Sequence, residues 1–245
     1  MERKKNILIL IIIILFSVRA TAQNNKIIYN AYVNNEMLKW KKLIDGIEQI
    51  NQKPNTLKLE LLNYQYGYIG WCIAENRDSE ARNYLSLAKN NLEALEDQNY
   101  KLADLYAYKS AFIGYEVALS PYKAPFIGMR SIGYAETSIE LDKNNYLGYL
   151  QLGNARYYMP SALGGSETEA INHYKKALQK MENNPGNLDK NWNYLNLLAT
   201  LVNAYIETEN FSNAEYYSNK ALNIAPDFDW VKNELHPKIL KELEK

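Results

Sequence analysis

Apolar side chains recur at helical spacing along most of the chain. They form clear stripes over residues 170–181, 211–222 and 228–243, at intervals of three and four residues. This spacing places them on one face of an α-helix. The alternation typical of strands is nearly absent after residue 23. The pattern therefore predicts an all-α chain, with helices separated by short turns rich in Asn, Pro and Gly.

Two local signals predict where helices begin or bend. Ser166 followed by Glu169 has the spacing of a capping box, which predicts a helix start near Glu167. Pro237 lies inside the last apolar stripe and predicts a bend there. No Gly/Ser-rich or Pro-rich linker interrupts the chain after residue 22, so we expect one continuous domain.

The first 22 residues have the three-part pattern of a secretory signal peptide. A basic start is followed by an apolar run from Ile7 to Phe16, and Ala20 and Ala22 supply small residues before a cut. The run is shorter than the roughly 20 residues that a membrane-spanning helix needs, although an uncleaved anchor is the alternative. The sequence predicts export to the periplasm or beyond the cell, with Gln23 as the first mature residue.

Self-similar segments recur in tandem. One copy runs from Asn203 through Ala214 and Ala221 to Pro226, and a second from Tyr149 to Leu178 with a turn lengthened over 159–165. Weaker copies cover 66–88 and 99–145. These segments resemble the tetratricopeptide repeat (TPR), a helix–turn–helix unit of about 34 residues, in an exported bacterial protein of the Bacteroidota type.

The resemblance implies a TPR-like α-α superhelix, a solenoid of antiparallel helix pairs. It divides the chain into a signal peptide (1–22), an N-terminal helical cap (23–55), about four helix pairs (56–231) and a C-terminal capping helix (232–245). Small residues should lie where helices touch, so Ala177 and Ala221 are expected to be buried.

Composition narrows the chemistry. The 28 basic and 28 acidic residues give a net charge of zero, which argues against a nucleic-acid partner. With one Cys and two His, the chain has few side chains that could bind a metal ion or act as a nucleophile with its base. Cys72 is expected to be a small buried hydrophobe, His173 a solvated helix residue, and Gly164–Gly165 a flexible turn. We therefore expect no catalytic activity and no cofactor.

The resemblance places ligands in a concave groove lined by the first helix of each pair. Leu150 and Ala199 stand where relatives that clamp a terminal carboxylate have Lys, so such a clamp is not expected. Asn154 and Asn203 occupy equivalent positions and either bind a ligand or bridge neighbouring helices. The groove candidates are Leu150, Asn154, Tyr157, Tyr158, Asn203, Ile206 and Glu207.

Two functions follow from the resemblance. The first is a non-catalytic scaffold that binds a protein or peptide segment in the groove, without stable membrane insertion after signal cleavage. The alternative is a periplasmic small-molecule binder or transport accessory. A groove open at both ends favours the scaffold, and a sealed groove favours the alternative.

Overall fold

The computed structural model describes residues 22–245, and within that range every regular element is helical, as the periodicity predicts. The predicted signal peptide, apart from its last residue, lies outside the described residues. The helices are α1 (22–33), α2 (Met37–Glu48), α3 (Asn55–Ala74), α4 (Asp78–Glu96), α5 (Leu102–Leu119), α6 (Ala124–Leu141), α7 (Tyr146–Tyr158), α8 (Glu167–Glu182), α9 (Trp192–Glu207), α10 (Phe211–Ile224) and α11 (His236–Leu243).

Helices α3 to α10 form four successive antiparallel pairs. Each second helix packs against its partner and against the first helix of the next pair. The first helices α3, α5 and α7 also contact one another, which makes them an inner layer. This is the topology of a helical-repeat superhelix, in which each pair covers the apolar face of its neighbour.

Small residues allow the close approach of helices at the predicted positions. Ala177 on α8 and Ala221 on α10 are both fully buried. Each has a larger residue of its own helix in the core beside it, Tyr174 and Tyr217 respectively. The prediction that both alanines are buried is confirmed.

Helix α8 begins where the sequence predicts, but only one of the two hydrogen bonds of the capping box is present. The Ser166 hydroxyl accepts a hydrogen bond of 3.2 Å from the Glu169 amide, and the helix begins at Glu167. The Glu169 carboxylate does not return the bond but forms an ion pair of 3.3 Å with Arg156. The Ser166 amide donates instead to the Arg156 carbonyl oxygen, at 2.9 Å. The cap thus also ties α8 to the end of α7.

The irregularity in the last helical segment precedes Pro237. A single π-helical turn spans Val231–Leu235 and leads directly into α11. Proline has no amide hydrogen to donate to a carbonyl one turn earlier, so a wider turn before it breaks the regular ladder. Val231, Leu235 and Ile239 remain buried, which keeps the apolar stripe facing the core.

Candidate binding groove

Helix α1 covers one half of the concave face. The Tyr32 hydroxyl donates a hydrogen bond of 3.0 Å to the side-chain oxygen of Asn196 on α9. The Tyr32 ring also lies 5.8 Å from the Trp192 ring and 5.1 Å from the Phe228 ring, centroid to centroid. The N-terminal helix therefore contacts the last helix pair directly, and the superhelix closes on itself at this end.

Aromatic side chains fill the space beneath α1. The Trp40 and Trp192 rings meet edge to face at 4.9 Å, and the Trp40 indole donates a hydrogen bond of 3.0 Å to the Tyr64 carbonyl oxygen. Gly67 on α3 faces both indoles, where a Cβ atom would lie 2.6 Å from Trp192 and 2.7 Å from Trp40. This half of the concave face is packed core, so the groove is not open at both ends.

Helix α9 has a single stripe that is not buried. The stripe consists of Asn196, Thr200, Asn203 and Glu207, and the other twelve residues of the helix are buried. Its spacing of four, three and four residues keeps it on one face. Tyr32 covers the first residue, whereas Asn203 is partly exposed and Glu207 is exposed. An almost wholly buried helix thus presents polar groups to the half of the concave face that α1 leaves uncovered.

Two tyrosines pack beneath this uncovered half, and one of them, Tyr66, is buried in the core. The Tyr66 and Tyr115 rings stack at 5.7 Å, and the Tyr115 hydroxyl donates to the Tyr66 carbonyl oxygen at 3.0 Å. Burial raises the pKa of Tyr115 well above its usual value, and the phenols of Tyr66 and Tyr158 add to the effect. The Tyr158 residue is 80 % exposed, so its ring lies at the surface of the protein.

Two tyrosines form the end of α7. The Tyr157 and Tyr158 rings contact edge to face at 5.0 Å. Burial, with a smaller contribution from the Glu207 carboxylate, raises the pKa of Tyr157 to about 12. We call the region formed by Tyr66, Tyr115, Asn154, Tyr157, Tyr158, Asn203 and Glu207 the open groove half.

The predicted groove residues divide into three sets. Leu150 and Ile206 are buried and belong to the core. Asn154 is tied into the scaffold, because its amide nitrogen donates to Gln151 and its oxygen accepts from the Tyr174 hydroxyl, each at 3.0 Å. The remaining four also belong to the open groove half, and at least part of their surface is exposed: Tyr157, Tyr158, Asn203 and Glu207.

The sequence did not predict the residues that close the groove or those that lie beneath it. Tyr32, Trp192 and Asn196 come from segments far apart in the chain, and no repeat position marks their contact. For Tyr66 the sequence did offer a signal of structural importance, because this residue begins one of the weaker repeat copies. In the structure Tyr66 receives a hydrogen bond of 3.1 Å from Gln151, across two helix pairs.

The long turn after α7 carries specific contacts. Gly164 has φ +96°, a region that side-chain-bearing residues rarely adopt, and its carbonyl oxygen accepts a hydrogen bond of 2.8 Å from Arg156. A Cβ atom on Gly165 would lie 1.7 Å from the Met159 carbonyl oxygen. Both glycines are therefore required by the turn's geometry.

The remaining chemically interesting residues have structural surroundings. Cys72 is fully buried, as expected. His173 is partly exposed rather than fully solvated, and burial lowers the pKa of its imidazole, with a further lowering from the nearby cations Lys176 and Arg156. From residue 22 onward, no group of three or more His, Cys, Asp or Glu side chains could hold a metal ion.

Comparison with known proteins supports the fold. No family model and no curated protein matches the chain. The HusA haemophore from Porphyromonas gingivalis is similar in structure, with a TM-score of 0.57, 15% identity, and coverage of 69% of this chain and 85% of HusA. A thermophilic TPR protein from Thermus thermophilus, TTC0263, has the same TM-score and identity over 92% of this chain and 100% of its own. The chain therefore has a TPR-like fold, an all-α superhelix of helical repeats.

Proposed function

We propose that this protein is an exported, non-catalytic scaffold that binds a short segment of a partner protein in the open groove half. The observation that carries the proposal is the polar stripe on α9. Asn203 and Glu207 remain accessible beside two tyrosines on a helix whose other faces are buried, so they are the polar groups of α9 that a bound segment could reach. The residue types support export, since the basic start and short apolar run belong to a signal peptide.

The chemistry of the open groove half suits a peptide backbone. The Asn203 side chain makes no hydrogen bond within residues 22–245, so its amide can both donate to and accept from a ligand. Tyr158 offers an exposed ring for apolar side chains and a phenol for hydrogen bonding. Helix α1 blocks the other half, so the bound segment is short and enters from one end.

Site-specific photo-crosslinking tests this proposal. A benzophenone amino acid replaces Tyr158, and in a matched variant it replaces Tyr216, an exposed tyrosine on α10. Irradiation in the native envelope should give a discrete protein adduct from position 158 alone, and Asn203→Ala should weaken that adduct in the same variant. Adducts of the same identity from both positions, or none from position 158, would count against the proposal.

Export has its own test. N-terminal sequencing of the protein from the exported fraction should begin at Gln23. Recovery of full-length chain held in the membrane would support the uncleaved anchor instead.

A second candidate function is the binding of a small molecule at the same place. Two observations favour it: α1 seals one end of the groove, and HusA, whose fold is similar, is a haemophore. Haem is a planar apolar molecule that Tyr157 and Tyr158 could contact with their rings. Titration with haem, followed by its absorbance, should saturate at one equivalent in the parent and weaken in Tyr158→Ala but not in Tyr216→Ala. A linear, unsaturable response would exclude haem as that small molecule.

A further inference from the structure

Helix α6 presents an apolar face that nothing in the described chain covers. Tyr122, just before the helix, is 74 % exposed, Phe126 is 82 % exposed and Met129 is 65 % exposed. Their spacing of four and three residues places them on one face. The opposite face of α6 packs on α5 and α7, with Ile132 and Ala135 buried. Adjoining exposed apolar side chains of this size indicate an interaction surface.

The same segment is positively charged. Lys123 and Arg130 lie on either side of Phe126 and Met129 in the sequence, and no Asp or Glu occurs between Val117 and Ala135. In the described part of the chain Lys123 has no ion pair, and Arg130 contacts only Tyr134, by a hydrogen bond of 3.2 Å with its ring beneath the guanidinium. Glu116 interacts electrostatically with Arg130, but its carboxylate forms an ion pair with Lys89. Both cations thus remain available to an anionic partner.

We propose that the face formed by Tyr122, Lys123, Phe126, Met129 and Arg130 docks on an anionic phospholipid surface. Aromatic and thioether side chains partition into the boundary between lipid headgroups and acyl chains, and Lys and Arg attract the anionic headgroups. The contact is peripheral, because α6 stays packed on α5 and α7. No helix within residues 22–245 is long and apolar enough to cross a membrane.

Shape and charge favour lipid over another protein surface. The three apolar side chains are each at least 65 % exposed, so they project from the protein surface and do not lie in a groove of this protein. A second copy docked through the same face around a two-fold axis would bring the cations of the two copies close to one another, which is unfavourable. An anionic bilayer complements the charge and accepts protruding side chains.

Vesicle co-sedimentation tests the proposal. Parent protein and variants are recovered from the same exported fraction, so that their N-termini are identical. The parent should bind vesicles containing phosphatidylglycerol about 10-fold more strongly than pure phosphatidylcholine vesicles, and raised salt should remove this preference. The double variant Phe126→Ser, Met129→Ser should bind both vesicle types about 10-fold more weakly. Lys123→Gln with Arg130→Gln should lose only the preference for phosphatidylglycerol.

A matched control and two contrary outcomes complete the design. Tyr216→Ser, which removes an exposed aromatic ring from α10, should bind like the parent. Equal vesicle binding by the Phe126/Met129 variant and the parent would overturn the proposal. The proposal would also be overturned if the parent bound neither vesicle type but formed a dimer or a complex with another protein. In that case the Phe126/Met129 variant would lose the dimer or the complex.

Discussion

The hydroxyl group of Tyr32 and the side-chain oxygen of Asn196 are joined by a hydrogen bond of 3.0 Å although the two residues are 164 positions apart in the chain. The bond links the first described helix to the last helix pair. Repeat proteins normally derive their stability from contacts between neighbouring units. Here a contact between distant units is added, and it reduces the part of the concave face that can bind a ligand.

A double-mutant cycle should measure this closure. Tyr32→Phe removes the hydroxyl, Asn196→Ala removes its acceptor, and the two changes should show a coupling free energy of about 1 kcal/mol in chemical denaturation. Tyr216→Phe combined with Asn196→Ala should show none, because Tyr216 is exposed on α10. Strictly additive effects of Tyr32→Phe and Asn196→Ala would mean that the bond does not stabilise the fold in solution.

A substitution at Gly67 tests the packing under α1. Gly67→Ala would put a methyl group within 3 Å of two indole rings, so we expect a loss of about 1–3 kcal/mol of unfolding free energy. Gly114→Ala in the middle of α5 is the matched control, since a Cβ atom there meets no other atom within 4 Å. That control should gain about 0.5–1 kcal/mol from helix propensity. A stabilised Gly67→Ala protein would show that the aromatic packing is loose.

The repeat interfaces should not tolerate a charge. Ala177→Arg or Ala221→Arg would force a long cation into a fully buried position, and we expect a loss of about 3 kcal/mol or more, or a failure to fold. Thermal melts of both variants, compared with Lys176→Arg on the exposed side of α8, measure the effect. An unchanged melting temperature would contradict the observed helix packing.

Local pattern was sufficient to predict much of the fold. Apolar spacing and the repeat resemblance anticipated the all-α class and the burial of Ala177 and Ala221. The Ser166 signal anticipated the start of α8 at Glu167. These features depend on residues within one or two helices of each other, which periodicity and capping rules describe.

The arrangement of side chains on the concave face depends on contacts between distant segments, which periodicity and capping rules do not describe. Tyr32 meets Asn196 only because the whole superhelix brings its ends together. Position in the repeat alone could not distinguish buried Ile206 from exposed Glu207, its neighbour in the chain. The difference arises because nearly all of α9 is enclosed by other helices, and this enclosure is a property of the assembled fold.

Stability should fall at alkaline pH. Burial raises the pKa of Tyr157, Tyr84 and Tyr217 to about 12, above the ordinary value of 10.0. The unfolded chain therefore loses these protons at lower pH than the folded protein. Their contribution to stability is complete below about pH 10 and is lost as the pH rises from 10 to 12.

Thermal melts between pH 8 and 12 check this expectation, with phenolate absorbance recorded in parallel. The melting temperature of Tyr157→Phe should fall less steeply above about pH 10 than that of the parent, while Tyr216→Phe should follow the parent. Identical slopes for the parent and Tyr157→Phe would show that the Tyr157 phenol is as well solvated in the folded protein as in the unfolded chain.

The two equivalent asparagines should separate stability from binding. Asn154 accepts a hydrogen bond from Tyr174, whose ring is almost fully buried, and donates one to Gln151, so Asn154→Ala should cost about 1–3 kcal/mol of unfolding free energy. Asn203 has no such partners within the described residues, and Asn203→Ala should change stability by no more than about 0.5 kcal/mol. Denaturation curves of both variants give the comparison directly.

Ligand capture then assigns the roles. Asn203→Ala should retain its helical circular dichroism yet lose most of the partner or ligand that the parent captures, because its free amide faces the open groove half. Its matched control is Asn213→Ala, an exposed asparagine on α10. If Asn203→Ala captures as well as Asn213→Ala, the polar stripe of α9 does not bind the ligand. A large loss of stability in Asn203→Ala would instead mean that this amide holds helices together, as Asn154 does.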